Sequence, residues 1–112
     1  MTLTDKTGAT VTIGKEQGQF TVGVEGKSVG LTAFAERDGQ RVFYHTEVDD
    51  AFGGRGLATV LIAQALSTTR ADGLRIVAVC PMVAHYVSSH HDFDDIVDPV
   101  TPEILQWLSP GV

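Results

Sequence analysis

The sequence predicts an α/β domain: a mixed, mostly antiparallel sheet of about five strands with two main helices packed on it. Three observations carry that prediction. Between residues 19 and 48, apolar and polar residues alternate in three runs separated by turn residues, the pattern of half-buried strands. A polar, glycine-containing link over residues 49–56 leads into apolar residues at helical spacing. A nearly all-apolar run over residues 74–79 then ends in Cys80-Pro81 and a second helical stretch, as an internal strand feeding a helix would.

Taken in order, residues 1–8 are polar and read as a frayed end. Ala9 to Ile13 fits a short edge strand. Gln19 to Glu25 sets Phe20, Val22 and Val24 against Gln19, Thr21 and Gly23, and Glu25-Gly26-Lys27 is a turn. Ser28 to Glu36 is a strand with Val29, Leu31, Ala33 and Ala35 on one face. Asp38-Gly39 is a hairpin signal, and Arg41 to Val48 is the next strand. The helix from Leu57 to Arg70 presents Ala58, Leu61, Ile62, Ala65 and Leu66 as one stripe, with Gln64, Ser67, Thr68 and Arg70 toward solvent. Gly73 is its expected left-handed cap. Leu74 to Val79 is the internal strand. Pro81 suits the first turn of a helix running from Met82 to about Ser89, because a missing N–H costs nothing there. Residues 90–95 read as a polar loop, and Pro102 to Leu108 as a last short helix capped by Thr101.

Composition bounds the function. The 112 residues make one domain with its own core, 43% hydrophobic and 20% charged. No apolar run is long enough to span a membrane, and the N-terminus lacks the apolar stretch of a signal peptide. A single cysteine excludes an intrachain disulfide and fits a reducing, cytoplasmic setting. A net charge of −6 disfavours a nucleic-acid partner and permits a cationic substrate, such as an amine or a lysine side chain. An anionic cofactor must then be held by local backbone donors. The loop Gly53-Gly54-Arg55-Gly56 can supply them, since glycines let a ligand approach the backbone and the first amides of a helix have no internal partner. The same residues also fit an ordinary strand-to-helix turn.

Cys80 stands where a strand ends and a helix begins. That position favours a thiolate, although an inert, buried cysteine fits it as well. His45 and Glu47 alternate with Thr46 and Val48, so the two share a face of their strand and can act as bases, or His45 can activate the cysteine. A solvated strand end is the plainer reading. His85, His90, His91, Asp92, Asp94 and Asp95 match no standard zinc spacing, and a solvated acidic loop is expected instead of a metal site.

The stretch His-Thr-Glu-Val, a short acidic link, Gly-Gly-Arg-Gly-Leu-Ala and an apolar helix resembles the acetyl-CoA site of the GNAT superfamily of N-acetyltransferases. That family's signature is Arg/Gln-x-x-Gly-x-Gly/Ala. Gly56 and Ala58 match its last two fixed positions, and Gly53 stands where Arg or Gln is usual, so one side-chain contact would be missing. Val79-Cys80-Pro81, Tyr86 and His90 extend the resemblance to a minimal single-domain branch of that family, over residues 19–97. His91 departs from it, taking the place of a usual proline. The resemblance implies a GNAT-like fold that binds acetyl-CoA or CoA. The pantetheine arm would run along the strand ending at Val48, and the pyrophosphate would rest on the N–H groups of Gly54, Arg55, Gly56, Leu57, Ala58 and Thr59. It implies that Cys80 lies beside the CoA thiol as the suspected catalytic residue. Glu47 or His45 would deprotonate the amine, and Tyr86 would protonate the leaving thiolate. Acetyl transfer to a small-molecule or protein amine follows, by a monomer or weak homodimer. The alternative is a CoA-binding module with little or no transfer activity.

Overall fold

The computed structural model describes residues 3–4, 7–52 and 56–108. Within these residues, seven strands form one sheet in sequential order: β1 (Leu3–Thr4), β2 (Thr10–Glu16), β3 (Gln19–Val24), β4 (Lys27–Arg37), β5 (Gln40–Val48), β6 (Arg75–Ala78) and β7 (Val97–Asp98). The first five are antiparallel neighbours, while β6 runs parallel to β5 and β7 parallel to β6. Among the described residues, three helices cover the sheet: α1 (Leu57–Ala71), α2 (Pro81–Ser89) and α3 (Pro102–Leu108). The α/β class and the mixed, mostly antiparallel sheet stand, but seven strands replace about five and three helices replace two. The additional strands, β1 and β7, are two residues each. Two residues carry no readable alternation, so only their pairing makes them strands.

Local chemistry explains the tight meander. The β3–β4 and β4–β5 hairpins each turn on two residues of positive φ, Glu25 (50°) with Gly26 (83°) and Asp38 (49°) with Gly39 (78°). Those are turns whose twist suits the flanking strands. At the end of α1, Gly73 is left-handed at φ 75°. Its N–H donates to the carbonyl of Arg70 at 3.0 Å, and that of Leu74 to Thr69 at 3.1 Å. These two hydrogen bonds close the helix as a Schellman cap.

Two bulges redirect the side chains. Val22 pairs with Gly30 but Gly23 with Ser28, so Val29 is an extra residue in β4. Ala33 pairs with His45 but Phe34 with Phe43, so Tyr44 is an extra residue in β5. An extra residue flips the faces beyond it. The core side of β4 is therefore Val29, Thr32 and Phe34, and not the expected series Val29, Leu31, Ala33 and Ala35. The main core joins Phe20, Val22 and Val24 of β3, Phe34, Phe43 and Ile76 to Leu57, Leu61, Ile62, Ala65 and Leu66 of α1, and to Val83 and Tyr86 of α2. On the opposite face, Val42 and Val77 pack under Ile104, Trp107 and Leu108 of α3. Thr101 Oγ1 accepts from the Ile104 amide at 3.3 Å as the side-chain cap of α3. The stretch read as a polar loop contains a 3₁₀ turn at His91–Ile96, closed over the core by Phe93.

Arg41, the only charged residue among the buried ones described, lies under this sheet with 2% exposure. Its guanidinium donates to Glu36 Oε2 from Nε (2.9 Å) and Nη2 (2.8 Å), to Asp72 Oδ2 (3.0 Å) and to Thr69 Oγ1 (3.2 Å). It also lies over the Phe34 ring at 4.7 Å. One side chain thus ties β5 to β4 and to the end of α1.

Candidate active site

The site begins where two strands part. The register of β5 with β6 ends at Phe43–Ala78, yet β5 continues to Val48. The Phe43 carbonyl accepts from both the Val79 N–H (3.0 Å) and the Cys80 N–H (2.9 Å), and the chain then turns into α2. From Tyr44 to Val48, β5 pairs with β4 alone among the described residues. Its other edge presents backbone donors and acceptors at strand spacing, and the bulge at Tyr44 sits at the point of parting.

Along the chain, α1 starts nine residues after the end of β5. Gly53, Gly54 and Arg55, expected to contact a cofactor, lie outside the described residues. Gly56 is the N-cap, left-handed at φ 76°, with no side-chain cap and no acidic residue in the first turn. The first intrahelical bond runs from the Val60 N–H to the Gly56 carbonyl at 3.1 Å. The amides of Leu57, Ala58 and Thr59 therefore precede the helical ladder, at the positive end of the dipole. Leu57 itself is buried in the core, so its side chain anchors the turn.

Alternation sorts the remaining candidates onto two faces of β5. His45 and Glu47 share the outer face, with Nε2 and Oε2 3.2 Å apart and side chains 56% and 63% exposed. Glu47 also lines an open hollow of about 490 Å³, together with Glu16, Leu31, Asp49 and Asp50 among others. Thr46 points the other way, into the core. There Cys80, 3% exposed, donates its thiol hydrogen bond to Thr46 Oγ1 at 3.2 Å. The structure thus brings His45 together with Glu47, and Cys80 together with Thr46; it does not bring His45 to the sulfur. In the sequence Thr46 reads only as the spacer between two polar residues. Its signal was a hydroxyl on the same face as the apolar Val48.

Tyr86 lies on the inward side of α2, about 9 Å along the axis from Cys80 at 1.5 Å per residue. Burial, and secondarily the negative charge of Asp92, push its hydroxyl pKa up, so the phenol stays protonated. Its ring stacks on His90 at 4.2 Å and 9°. His90 Nδ1 lies 3.2 Å from the Tyr86 carbonyl, which can only accept. Nδ1 therefore carries the hydrogen, and in the neutral ring Nε2 is left as an acceptor. The acidic residues nearby have other partners. Asp95 takes two hydrogen bonds from Arg70, at 2.7 and 3.0 Å, which hold its carboxyl below the usual range. Asp94 pairs with His91 at 2.9 Å. Among the described residues, no three His, Cys, Asp or Glu side chains group to hold a metal ion, and no helix is long and apolar enough to cross a membrane.

Comparison with known proteins bears on the family and the fold. The family model for GCN5-related N-acetyl-transferase matches residues 19–96. The solution NMR structure of a GCN5-like protein from Staphylococcus aureus superposes with a TM-score of 0.63 at 22% identity, covering 81% of this chain and 91% of that one. That likeness is one of fold. The chain is also 31% identical, over 98 residues, to the S-adenosylmethionine:tRNA ribosyltransferase-isomerase of Nitrobacter winogradskyi. The match takes in 83% of this chain and spans only 27% of that protein's length.

Proposed function

Since the chain belongs to the GCN5-related N-acetyltransferase family, a family of acyltransferases, we propose that it transfers an acetyl group from acetyl-CoA to an amine of a small molecule or a protein. The observation that carries this reading is the parting of β5 from β6, which leaves the edge from Tyr44 to Val48 open shortly before the uncapped first turn of α1 along the chain. Pantetheine has amide groups that suit such an edge, and a pyrophosphate suits uncapped helix amides. The donor set therefore fits CoA. The edge up to Val48 would hold the arm, and Gly54, Arg55, Gly56, Leu57, Ala58 and Thr59 the phosphates. Acetyl-CoA would supply the activated thioester.

The chain's own residues divide the remaining work by face. An amine reaches the site as an ammonium and must lose a proton before it can attack. On the outer face the Glu47 carboxylate, with His45 beside it, is the base, and the acidic hollow favours a cation. On the core face Cys80 is the residue that the cysteine-bearing branch would use, either as nucleophile or to position the acceptor. Tyr86, kept protonated by burial, is the acid for the departing thiolate. A CoA-binding module without transfer is the second reading. It is favoured by the relative in which the matching stretch is 27% of a longer protein.

Calorimetry with CoA tests the cofactor site. Wild-type protein should bind saturably, and Gly56→Glu should abolish binding by blocking the backbone and adding like charge. Gly56→Ala should keep binding and lose about 1 kcal/mol of stability, from a side chain held left-handed. Unchanged affinity in Gly56→Glu would remove this turn from the site.

A further inference from the structure

A file of three buried polar groups runs behind the site. Thr32 is wholly buried and Thr46 is 8% exposed. They are direct cross-strand partners, with hydroxyl oxygens 2.9 Å apart. Cys80 completes the file at 3.2 Å from Thr46. β4, β5 and the start of α2 each contribute one member, inside a cluster otherwise made of groups such as Phe43, Leu57, Leu61 and Val83. Valine would fill either threonine position without a polar group to satisfy, so the hydroxyls need an account beyond packing.

The ionisable groups around this file are engaged elsewhere or face away. His45 and Glu47 flank Thr46 and lie on the opposite face of β5. Arg41, further along the same side, is bound to Glu36 and Asp72, the charged groups that β4 and the end of α1 bring there. The buried side of α1 carries Leu57, Leu61, Ile62, Ala65, Leu66 and Thr69, none of which titrates. α2 contributes Tyr86, a protonated phenol. The partner of the Cys80 thiol is thus a hydroxyl.

A hydroxyl both donates and accepts. While the thiol keeps its proton, S–H donates to Thr46, and the Thr46 proton turns to Thr32. When the thiol proton leaves to water, sulfur can only accept. Thr46 then rotates to donate to sulfur, and Thr32 rotates to donate to Thr46. One proton goes to solvent and no heavy atom moves. We propose that Thr46, backed by Thr32, is the positioning residue for Cys80: it holds the sulfur where β5 and β6 part and supplies the hydrogen bond a deprotonated sulfur needs, in place of an ionisable partner. The importance of this for transfer rests on the acetyltransferase reading, whereas the hydrogen bond itself does not.

The chain has one cysteine, so thiol alkylation reports a single site. The rate of reaction with iodoacetamide is measured against pH on the full chain without CoA. Thr46→Val should move the ionisation midpoint up by about one pH unit and slow alkylation at neutral pH about tenfold, since one unit is a factor of ten. Thr46→Ser, which keeps the hydroxyl, should follow the wild-type profile, and Thr32→Val should shift it up by less. If Thr46→Val fails to fold, Thr46→Ser and Thr32→Val carry the test. A Thr32→Val or Thr46→Val profile superimposed on wild type overturns the proposal, and so does a Thr46→Ser profile shifted upward. Absence of transfer in the wild-type protein would defeat the acetyltransferase reading and leave the alkylation result standing.

Discussion

Arg41→Ala should be strongly destabilising. The guanidinium is 2% exposed and spans Glu36, Asp72 and Thr69 while covering Phe34 and Phe20. Removing one partner of a buried ion pair typically costs about 3–5 kcal/mol. Here the two carboxylates are 46% and 38% exposed and regain water once Arg41 is gone. The low end therefore applies, about 3 kcal/mol, of which the lost ring contacts contribute about 1. With an unfolding entropy of about 2.1 cal/mol/K per residue over 112 residues, the melting temperature should fall by about 13 °C. Arg41→Met, which keeps much of the volume over the rings, should lose roughly half as much. Thermal melts followed by circular dichroism measure both. A fall of less than about 3 °C for Arg41→Ala would refute the claim that this residue ties β5 to β4 and α1.

Acid should act in part through two surface carboxylates. Asp72 is held below the usual range chiefly by its hydrogen bond from Arg41, and Asp95 by its hydrogen bond from Arg70. A folded pKa below the unfolded one gives stability that is complete above the unfolded value, near about 3.9, and is lost as pH falls through the folded value. Urea midpoints should show no loss from these groups between neutral pH and about pH 5, and a decline below about pH 4 that Arg41→Met makes shallower. An equally steep decline in that variant would sever Asp72 from Arg41. Cys80→Ala should keep CoA binding in calorimetry and lose most of any transfer, because deleting a nucleophile affects chemistry far more than ground-state binding. Wild-type turnover in that variant would leave Glu47, His45 and Tyr86 as the acid–base set. Glu47→Gln should lower transfer by roughly 100-fold or more near neutral pH and recover in part at high pH, where the amine is already deprotonated. A pH–rate profile of unchanged shape and height would remove Glu47 as the base.

Much of the fold was legible because it rests on local signals. The alternation in β3, the helical stripe of α1, Gly73 as its cap and Thr101 at α3 are each set by residues a few positions apart. What was not legible depends on partners distant in sequence. β1 and β7 exist only by pairing, and the bulges at Val29 and Tyr44 arise between strands. The bulge at Val29 explains why simple alternation put Leu31 on the core side and left Thr32 out. Arg41 reads in sequence as a charged strand residue; only Asp72, thirty-one positions on, and the phenylalanines of other strands make a buried place for it. At the site, alternation was enough to put His45 and Glu47 on one face. The same alternation turns Thr46 inward toward Cys80, and the proximity of β5 to the start of α2 that completes this contact is a tertiary fact.

The most direct test of the account is amine-dependent release of CoA from acetyl-CoA by the full chain. Products are followed by mass spectrometry across a panel of small amines and lysine peptides. The account predicts that at least one cationic amine gains an acetyl group while CoA accumulates in equal amount, and that Gly56→Glu abolishes both. Saturable binding of acetyl-CoA with no acetylated product from any amine would contradict it and leave the CoA-binding module in its place.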